Sequence, residues 1–283
     1  MELIFGLEKQ SLFPHASWIL QENTMQPCLY GVPLSDRGFR YGQHLFETVA
    51  VRHGRIFFAE DHLDRLAQLA IQHHFGFDTA WRQGASLFLK TTPFPDGVVR
   101  IFLTAGDGSL GAPITQPRLF AFWEEITFPS VSEIEQGVTL VSLQKHLGNE
   151  YWGLKNGNYW DHICALKEAQ RGGASEGLVF NAEDYLISGA MANVILWIKK
   201  NHKIQMITPP CTRGARDGVV LHWVRQQFPE LLECDLTRSD LMNVRAMALT
   251  NSRLGVMPVQ SLEGRRLPDF HHSLELAKKY ESL

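Results

Sequence analysis

Two stretches decide how this chain is read: Leu154-Lys155-Asn156-Gly157-Asn158-Tyr159-Trp160 and, about thirty residues on, Ile187-Ser188-Gly189-Ala190-Met191-Ala192-Asn193. The first places a lysine at the start of a helix whose pattern runs from about Tyr159 to Arg171, where Gly172-Gly173 stops it. The second is a turn of glycine and small residues between short strands predicted at Gly177 to Phe180 and Val194 to Ile198. A lysine amine becomes a nucleophile able to form a Schiff base when a partly desolvated, cation-lined pocket lowers its pKa. Taken alone, Lys155 reads as a solvated surface residue, as most lysines do, so its meaning depends on what accompanies it.

Working outward, 283 residues suffice for two modest lobes with a cleft, because a single core stops growing at roughly 250 to 300 residues. A composition of 45% hydrophobic and 20% charged residues is that of a soluble globular protein, and no segment approaches the roughly 20 apolar residues of a membrane span. The formal net charge of -3 leaves no electrostatic footprint for nucleic acid, Lys199-Lys200 and Arg265-Arg266 being short and isolated. Cys28, Cys164, Cys211 and Cys234 are widely spaced with no metal-ligand spacing, so reduced thiols and no metal are expected. Met1 to Gly6 carries no basic region followed by an apolar run, and a cytoplasmic location is expected.

Phe46 to Val51 and Arg55 to Phe58 read as strands of a hairpin turning at His53-Gly54. From Glu60 to Phe75, Leu63, Leu66, Ala67, Ala70 and Ile71 recur at helical spacing, with Gly76 placed to cap the end. Strands follow at Val98 to Thr104 and Arg118 to Trp123, completing an α/β domain of residues 1–126. The Pro and Ser of Thr127-Phe128-Pro129-Ser130-Val131-Ser132 mark a linker, taken as 127–133. A second domain, 134–283, holds a strand at Val138 to Leu143, the elements around Lys155, a helix from about Gly218 to Phe228 and another from about Pro268.

Three further regions accompany Lys155 and the small-residue turn, in order: Ser35-Asp36-Arg37-Gly38-Phe39-Arg40-Tyr41-Gly42 continued by Phe46-Glu47-Thr48-Val49; His62-Leu63-Asp64-Arg65-Leu66; and Leu249-Thr250-Asn251-Ser252 followed by Gly255-Val256-Met257-Pro258-Val259. Together these motifs resemble the class IV aminotransferase family, the fold-type IV pyridoxal phosphate enzymes, over nearly the whole chain. The resemblance implies an α/β (α+β) enzyme of two domains, a small N-terminal α/β lobe and a larger C-terminal lobe, with the cofactor in the cleft. It also implies a homodimer and a small amine substrate bearing a carboxylate, with no nucleic acid or membrane partner.

By that resemblance Lys155 holds pyridoxal 5'-phosphate as a Schiff base and then acts as general base. Arg65 is implied as the phosphate arginine, although periodicity alone equally pairs it with Asp61 or Asp64 on an exposed helix face. In Thr212-Arg213-Gly214-Ala215-Arg216, Gly214 would let the amides of Ala215 and Arg216 approach the phosphate, and Ser252 is either a further phosphate donor or a polar turn residue. Tyr159 either hydrogen-bonds the cofactor or packs, and Ala190 belongs to the cofactor floor. Two departures stand out. Ser188 occupies the place of the family's glutamate facing the pyridine nitrogen, and Asp217 the place of an arginine after the phosphate turn. A carboxylate there keeps the nitrogen protonated so that the ring can accept an electron pair, whereas a serine can only hydrogen-bond. Glu183 and Asp184 fall on a hairpin turn and are not expected to replace it.

For the substrate, Arg100 is an odd charge in the apolar run Val98-Val99-Arg100-Ile101-Phe102-Leu103, and it is read as a carboxylate clamp or as a strand-edge arginine facing water. Phe46, Glu47 and Thr48 lie on the strand expected to line the pocket, Glu47 being alternatively solvent-facing. The final Asn251-Ser252 loop is more similar to 4-amino-4-deoxychorismate lyases than to branched-chain aminotransferases. The favoured reaction is therefore conversion of 4-amino-4-deoxychorismate to 4-aminobenzoate and pyruvate in folate synthesis. A D- or branched-chain amino acid aminotransferase, or a non-catalytic relative binding a carboxylate, are the alternatives.

Overall fold

In a computed structural model of the chain, residues 17–28, 31–76, 80–148, 151–200 and 202–283 are described, the side chains of 145–148 excepted. The reading of Met1 to Gly6 lies outside them. The chain divides into two compact units, Met1–Thr127 and Phe128–Leu283.

The first unit is a six-stranded antiparallel sheet with helices. Its strands are β1 (Ser17–Gln21), β2 (Thr24–Pro27), β3 (His44–Arg52), β4 (Arg55–Ile56), β5 (Gly97–Thr104) and β6 (Arg118–Glu124), in the order β2-β1-β6-β5-β3-β4. The short α1 (Arg37–Tyr41) precedes β3, and α2 (Ala59–Gln72) and α3 (Ala80–Thr91) lie between β4 and β5 in the chain. His53 and Gly54 take φ of 52° and 70°, the left-handed pair a two-residue hairpin turn requires. Helix α2 buries Leu63, Leu66 and Ala70, as its spacing predicts, but it ends at Gln72, and Gly76 turns the chain several residues later. Helix α3 has no counterpart in the sequence reading. Its Trp81, Ala85, Phe88 and Leu89 are buried at helical spacing, and Glu60 of α2 ties it down through Arg82, Ser86 and Lys90.

The signature Ser35 to Gly42 is scaffold. Asp36 is fully buried and accepts from the Gly38 amide at 2.7 Å, from Thr104 Oγ1 at 2.8 Å and from Arg118 at 2.9 Å. Arg37, also fully buried, donates to the carbonyls of Ala105, Gly106 and Ala112. A buried charge needs such saturation, and here it locks the turn before β3 to the loop after β5.

The second unit opens on α4 (Val131–Gln136) and β7 (Val138–Gly148), followed by α5 (Trp160–Arg171), β8 (Glu176–Asn181), β9 (Leu186–Gly189), β10 (Asn193–Lys200) and β11 (Lys203–Thr208). After these come α6 (Val219–Gln227), β12 (Leu232–Glu233), β13 (Val244–Asn251), β14 (Gly255–Leu262), β15 (Arg265–Arg266) and α7 (His271–Glu281). The sheet runs β12-β11-β10-β13-β14-β7-β8-β9, with β15 on β14; β7 is parallel to both β14 and β8. Ser130, read as part of a linker, is instead the N-cap of α4, in a capping box with Glu133. The stretch Leu249 to Val259, read as a loop, is the antiparallel pair β13 and β14 with its tip at Asn251 to Gly255. Helix α5 buries Ala165 and Ala169 against Leu143, Val179, Ile187 and Trp152, which fixes its first turn over the end of β9.

Candidate active site

Lys155 lies between β7 and α5 and is 9% exposed. Its Nζ is 5.8 Å from the centre of the Tyr159 ring, and the guanidinium carbon of Arg216 is 5.5 Å from that same ring. Tyr159 caps the start of α5 and stacks on His162 at 4.4 Å, as side chains three apart on a helix do. His162 in turn packs on Trp152 at 3.9 Å. Its Nδ1 lies 2.6 Å from the Ala190 carbonyl, which can only accept, so that nitrogen carries the proton. Burial, with the cations Arg216 and Lys155 adding to it, pushes the His162 pKa down to about 4, and the ring is neutral at neutral pH.

The turn after β9 forms the floor. Ser188 is buried and its hydroxyl is spent: Oγ donates to the Gly189 carbonyl at 2.6 Å and accepts from Trp152 Nε1 at 2.8 Å. Beneath Met191 lies Glu176, whose carboxylate accepts from the amides of Met191 at 3.1 Å and Gly177 at 3.4 Å. Burial outweighs these bonds and raises its pKa to about 7. Asn251 reaches across from the β13 end to the Met191 carbonyl at 3.2 Å and holds the Arg253 and Leu254 amides on its Oδ1, which shapes the turn containing Ser252.

Asn193 fastens the floor to the segment before α6, its Nδ2 donating to the Arg216 carbonyl at 2.7 Å. Gly218, the N-cap of α6, has no side chain because a Cβ there would overlap Asn193 Oδ1. The helix start therefore has no side-chain cap, and its first amides are those of Val219, Val220 and Leu221. Opposite Asn193 on the neighbouring strand sits Thr250, fully buried, with no hydrogen-bond partner for Oγ1 among the described residues. Cross-strand partners share a face, so Thr250 stands on the face where Asn193 meets Arg216 and Gly218.

This geometry shifts one expectation. The helix begins at Val219, as the pattern from about Gly218 predicts, so the amides at its dipole end are those of Val219 to Leu221 and not those of Ala215 and Arg216. The carbonyls of Gly214 and Ala215 face Gly153, where a Cβ would come within 2.9 and 2.7 Å of them. Asp217 accepts from Arg225 at 2.8 Å with its side chain exposed, outside the first turn of the helix, so its departure from the family pattern does not fall on the helix amides. Lys155, Tyr159, Ser188, Ala190 and Arg216 come together in this unit. Trp152, His162, Asn193 and Gly218 belong with them and were missed, although a glycine immediately before a helical pattern is a readable cap signal.

In the first unit Glu47 is fully buried, with its carboxylate between His62 Nδ1 at 2.7 Å and the Nε and Nη2 of Arg65 at 2.8 and 2.6 Å. Burial alone would raise its pKa, but Arg65 and His62 outweigh that and hold it far below the usual carboxylate range. Glu47 therefore neither faces solvent nor lines a pocket with its neighbours: alternate strand residues face opposite sides, and it anchors an arginine. Arg65 pairs with Glu47. Phe46, Thr48 and Arg100 share the other face of the sheet, where Phe46 stacks on Phe102 at 5.6 Å. Arg100 has an anionic partner already, Glu124 Oε2 at 2.5 Å, and also reaches Thr48 Oγ1 at 3.4 Å, so its charge is explained without a substrate.

A buried lysine among cations and aromatic rings, above a small-residue floor and beside an uncapped helix, describes an enzyme of the lysine-dependent cofactor class. Residues 44–262 match the amino-transferase class IV family, and the chain belongs to it. The family uses pyridoxal 5'-phosphate. The chain is 24% identical to the aminodeoxychorismate lyase of Vibrio harveyi, over 82% of this chain and 87% of the relative. It is also 24% identical to the bifunctional aminodeoxychorismate lyase / D-amino acid transaminase of Mycobacterium tuberculosis, over 88% and 92%. Among solved structures, the 4-amino-4-deoxychorismate lyase of Pseudomonas aeruginosa superposes with a TM-score of 0.81 at 25% identity, covering 94% of this chain and 98% of that one. The residues present fit such a cofactor: an amine for its aldehyde, a buried unsatisfied Thr250 hydroxyl, and open amides at a helix start for its phosphate.

Proposed function

We propose that the chain is a 4-amino-4-deoxychorismate lyase, releasing 4-aminobenzoate and pyruvate, and that Lys155, Tyr159, Ser188 and Arg216 form its reaction centre. Pyridoxal phosphate, when bound, supplies an aldehyde for the Lys155 amine and a conjugated ring that withdraws electrons from a breaking bond. The amides of Val219 and Val220, with Ser252 and Thr250, would hold the phosphate, and Ala190 would contribute a small side chain to the floor. Lys155 takes the proton from the substrate ring carbon; the carbon–oxygen bond to the enolpyruvyl group breaks, and a proton returned to the methylene carbon completes pyruvate. Tyr159 keeps the amine in place by packing beneath it, and neutral His162 holds the floor without competing for the proton.

The observation that carries this reading is the state of Ser188. With its proton on the Gly189 carbonyl and a lone pair on Trp152, it offers the cofactor neither a carboxylate nor a spare donor. A transaminase needs a strong electron sink, whereas aromatisation of the substrate ring drives the lyase reaction and tolerates a weak one. The likeness to a bifunctional relative makes transamination of a D-amino acid the second reading. Pyruvate formed from 4-amino-4-deoxychorismate, with no pyridoxamine phosphate formed on adding D-alanine alone, supports the lyase. The reverse pattern overturns it. Ser188→Glu is expected to raise transamination at least tenfold and leave pyruvate release within about threefold.

A place in folate synthesis follows from the same reading, as does a homodimer by family resemblance. Cytoplasmic location fits the four free thiols, Cys28, Cys164, Cys211 and Cys234. No described helix is long and apolar enough to cross a membrane.

A further inference from the structure

Arg216 is held on three sides and open on the fourth. Asn193 fixes its backbone carbonyl at 2.7 Å, its Nε donates to the Gly153 carbonyl at 3.1 Å, and its guanidinium lies 5.5 Å from the Tyr159 ring centre. The two terminal nitrogens make no hydrogen bond or ion pair among the described residues, and the side chain is half-buried. A half-buried guanidinium without an anion is costly, and its two parallel N–H groups match a carboxylate in bidentate geometry. Among the described residues no carboxylate is bonded to it, His162 is neutral, and Lys155, on the same Tyr159 ring, adds a second cation.

We infer that Arg216 is the receptor for a carboxylate of the substrate amine. This rests on the proposed site at Lys155. The two distances to the Tyr159 ring, 5.8 Å from Lys155 Nζ and 5.5 Å from Arg216 Cζ, set the amine and the guanidinium against one and the same ring. Arg100, the arginine that its apolar strand singles out, is satisfied by Glu124; Arg216 carries the open fork. The same fork would also suit the cofactor's phosphate, and the two sources separate by experiment.

Benzoate and benzamide differ in charge and little in shape, and their affinities for the holoenzyme are measured by calorimetry. The wild type is expected to favour benzoate about 10- to 100-fold, the ratio expected for a charge-assisted hydrogen-bond pair. Arg216→Gln should bring that ratio to within about threefold, and Arg216→Lys should retain part of it. Pyridoxal phosphate affinity, read by fluorescence on apo-protein, should change less than threefold in Arg216→Gln, which also reports that the variant is folded. An unchanged benzoate preference overturns the inference. So does a cofactor affinity that falls tenfold or more while the preference stays, because the anion is then the phosphate. Carboxylate selectivity without pyruvate release would sink the lyase reading and leave Arg216 in its role.

Discussion

Two clusters of charge in this protein are built in opposite ways. In the first unit, Glu47 is fully buried and answered on both oxygens by His62 and Arg65, so the cluster is closed. In the second, Lys155 and Arg216 crowd one tyrosine ring with a neutral histidine beneath them, and no carboxylate is bonded to Arg216 among the described residues. A closed cluster of buried charges is broken only at a large cost. The terminal nitrogens of Arg216, unbonded among the described residues, lack the one thing an anionic cofactor or a carboxylate substrate brings. Charge alone does not mark a functional site; uncompensated charge does.

The sharpest way to break this contrast is Lys155→Ala. Activity should fall by more than about a thousandfold, and the visible absorption band that borohydride removes from the wild type should be absent, while urea unfolding stays within about 1 kcal/mol of wild type. A large loss of stability would make Lys155 as structural as Glu47 and erase the difference. Glu47→Gln is expected to behave the other way. Leaving Arg65 short of its counter-charge should cost about 3 to 5 kcal/mol in urea unfolding, and a cost under 1 kcal/mol would show that the closed cluster is not holding its unit together.

The smallest expected effect concerns Glu176. Its pKa is raised from 4.5 to about 7, so the folded state binds the proton more tightly than the unfolded chain. The neutral form costs nothing below the unfolded value, and stability is lost as pH rises through about 7. Between about pH 5 and about pH 8 the wild type should lose up to about 3 kcal/mol through this group, and Glu176→Gln should flatten that slope. Identical slopes for the two proteins would mean that the floor amides keep the carboxylate ionised in the fold.

Much of this was readable in the residues. The strand spans around Phe46 and Val98, the periodicity of Leu63, Leu66 and Ala70, and the helix behind Tyr159 follow from patterns that depend on near neighbours. Helix α3 escaped because Gly84 and Ser86 interrupt its apolar positions midway. Ser130 was taken for a breaker because a serine before a helix and a serine in a linker look alike until Glu133 closes the capping box. The helix at Val219 starts where its pattern places it, at Gly218, while the packing of that glycine against Asn193 is visible only in the fold.

By itself, then, the sequence determined the family and the order of the elements and singled out Lys155, because these rest on residue types and spacings along one chain. What tertiary structure alone decided is which charges are spent. Arg65 and Arg100 have carboxylate partners eighteen and twenty-four residues away, Ser188 is bound by a tryptophan thirty-six residues away, and Arg216 is held by Asn193 and Gly153 with its fork left open. Hydrogen bonds and ion pairs form between groups that the fold brings within about 3 Å, whatever their separation along the chain, and no local pattern records that distance.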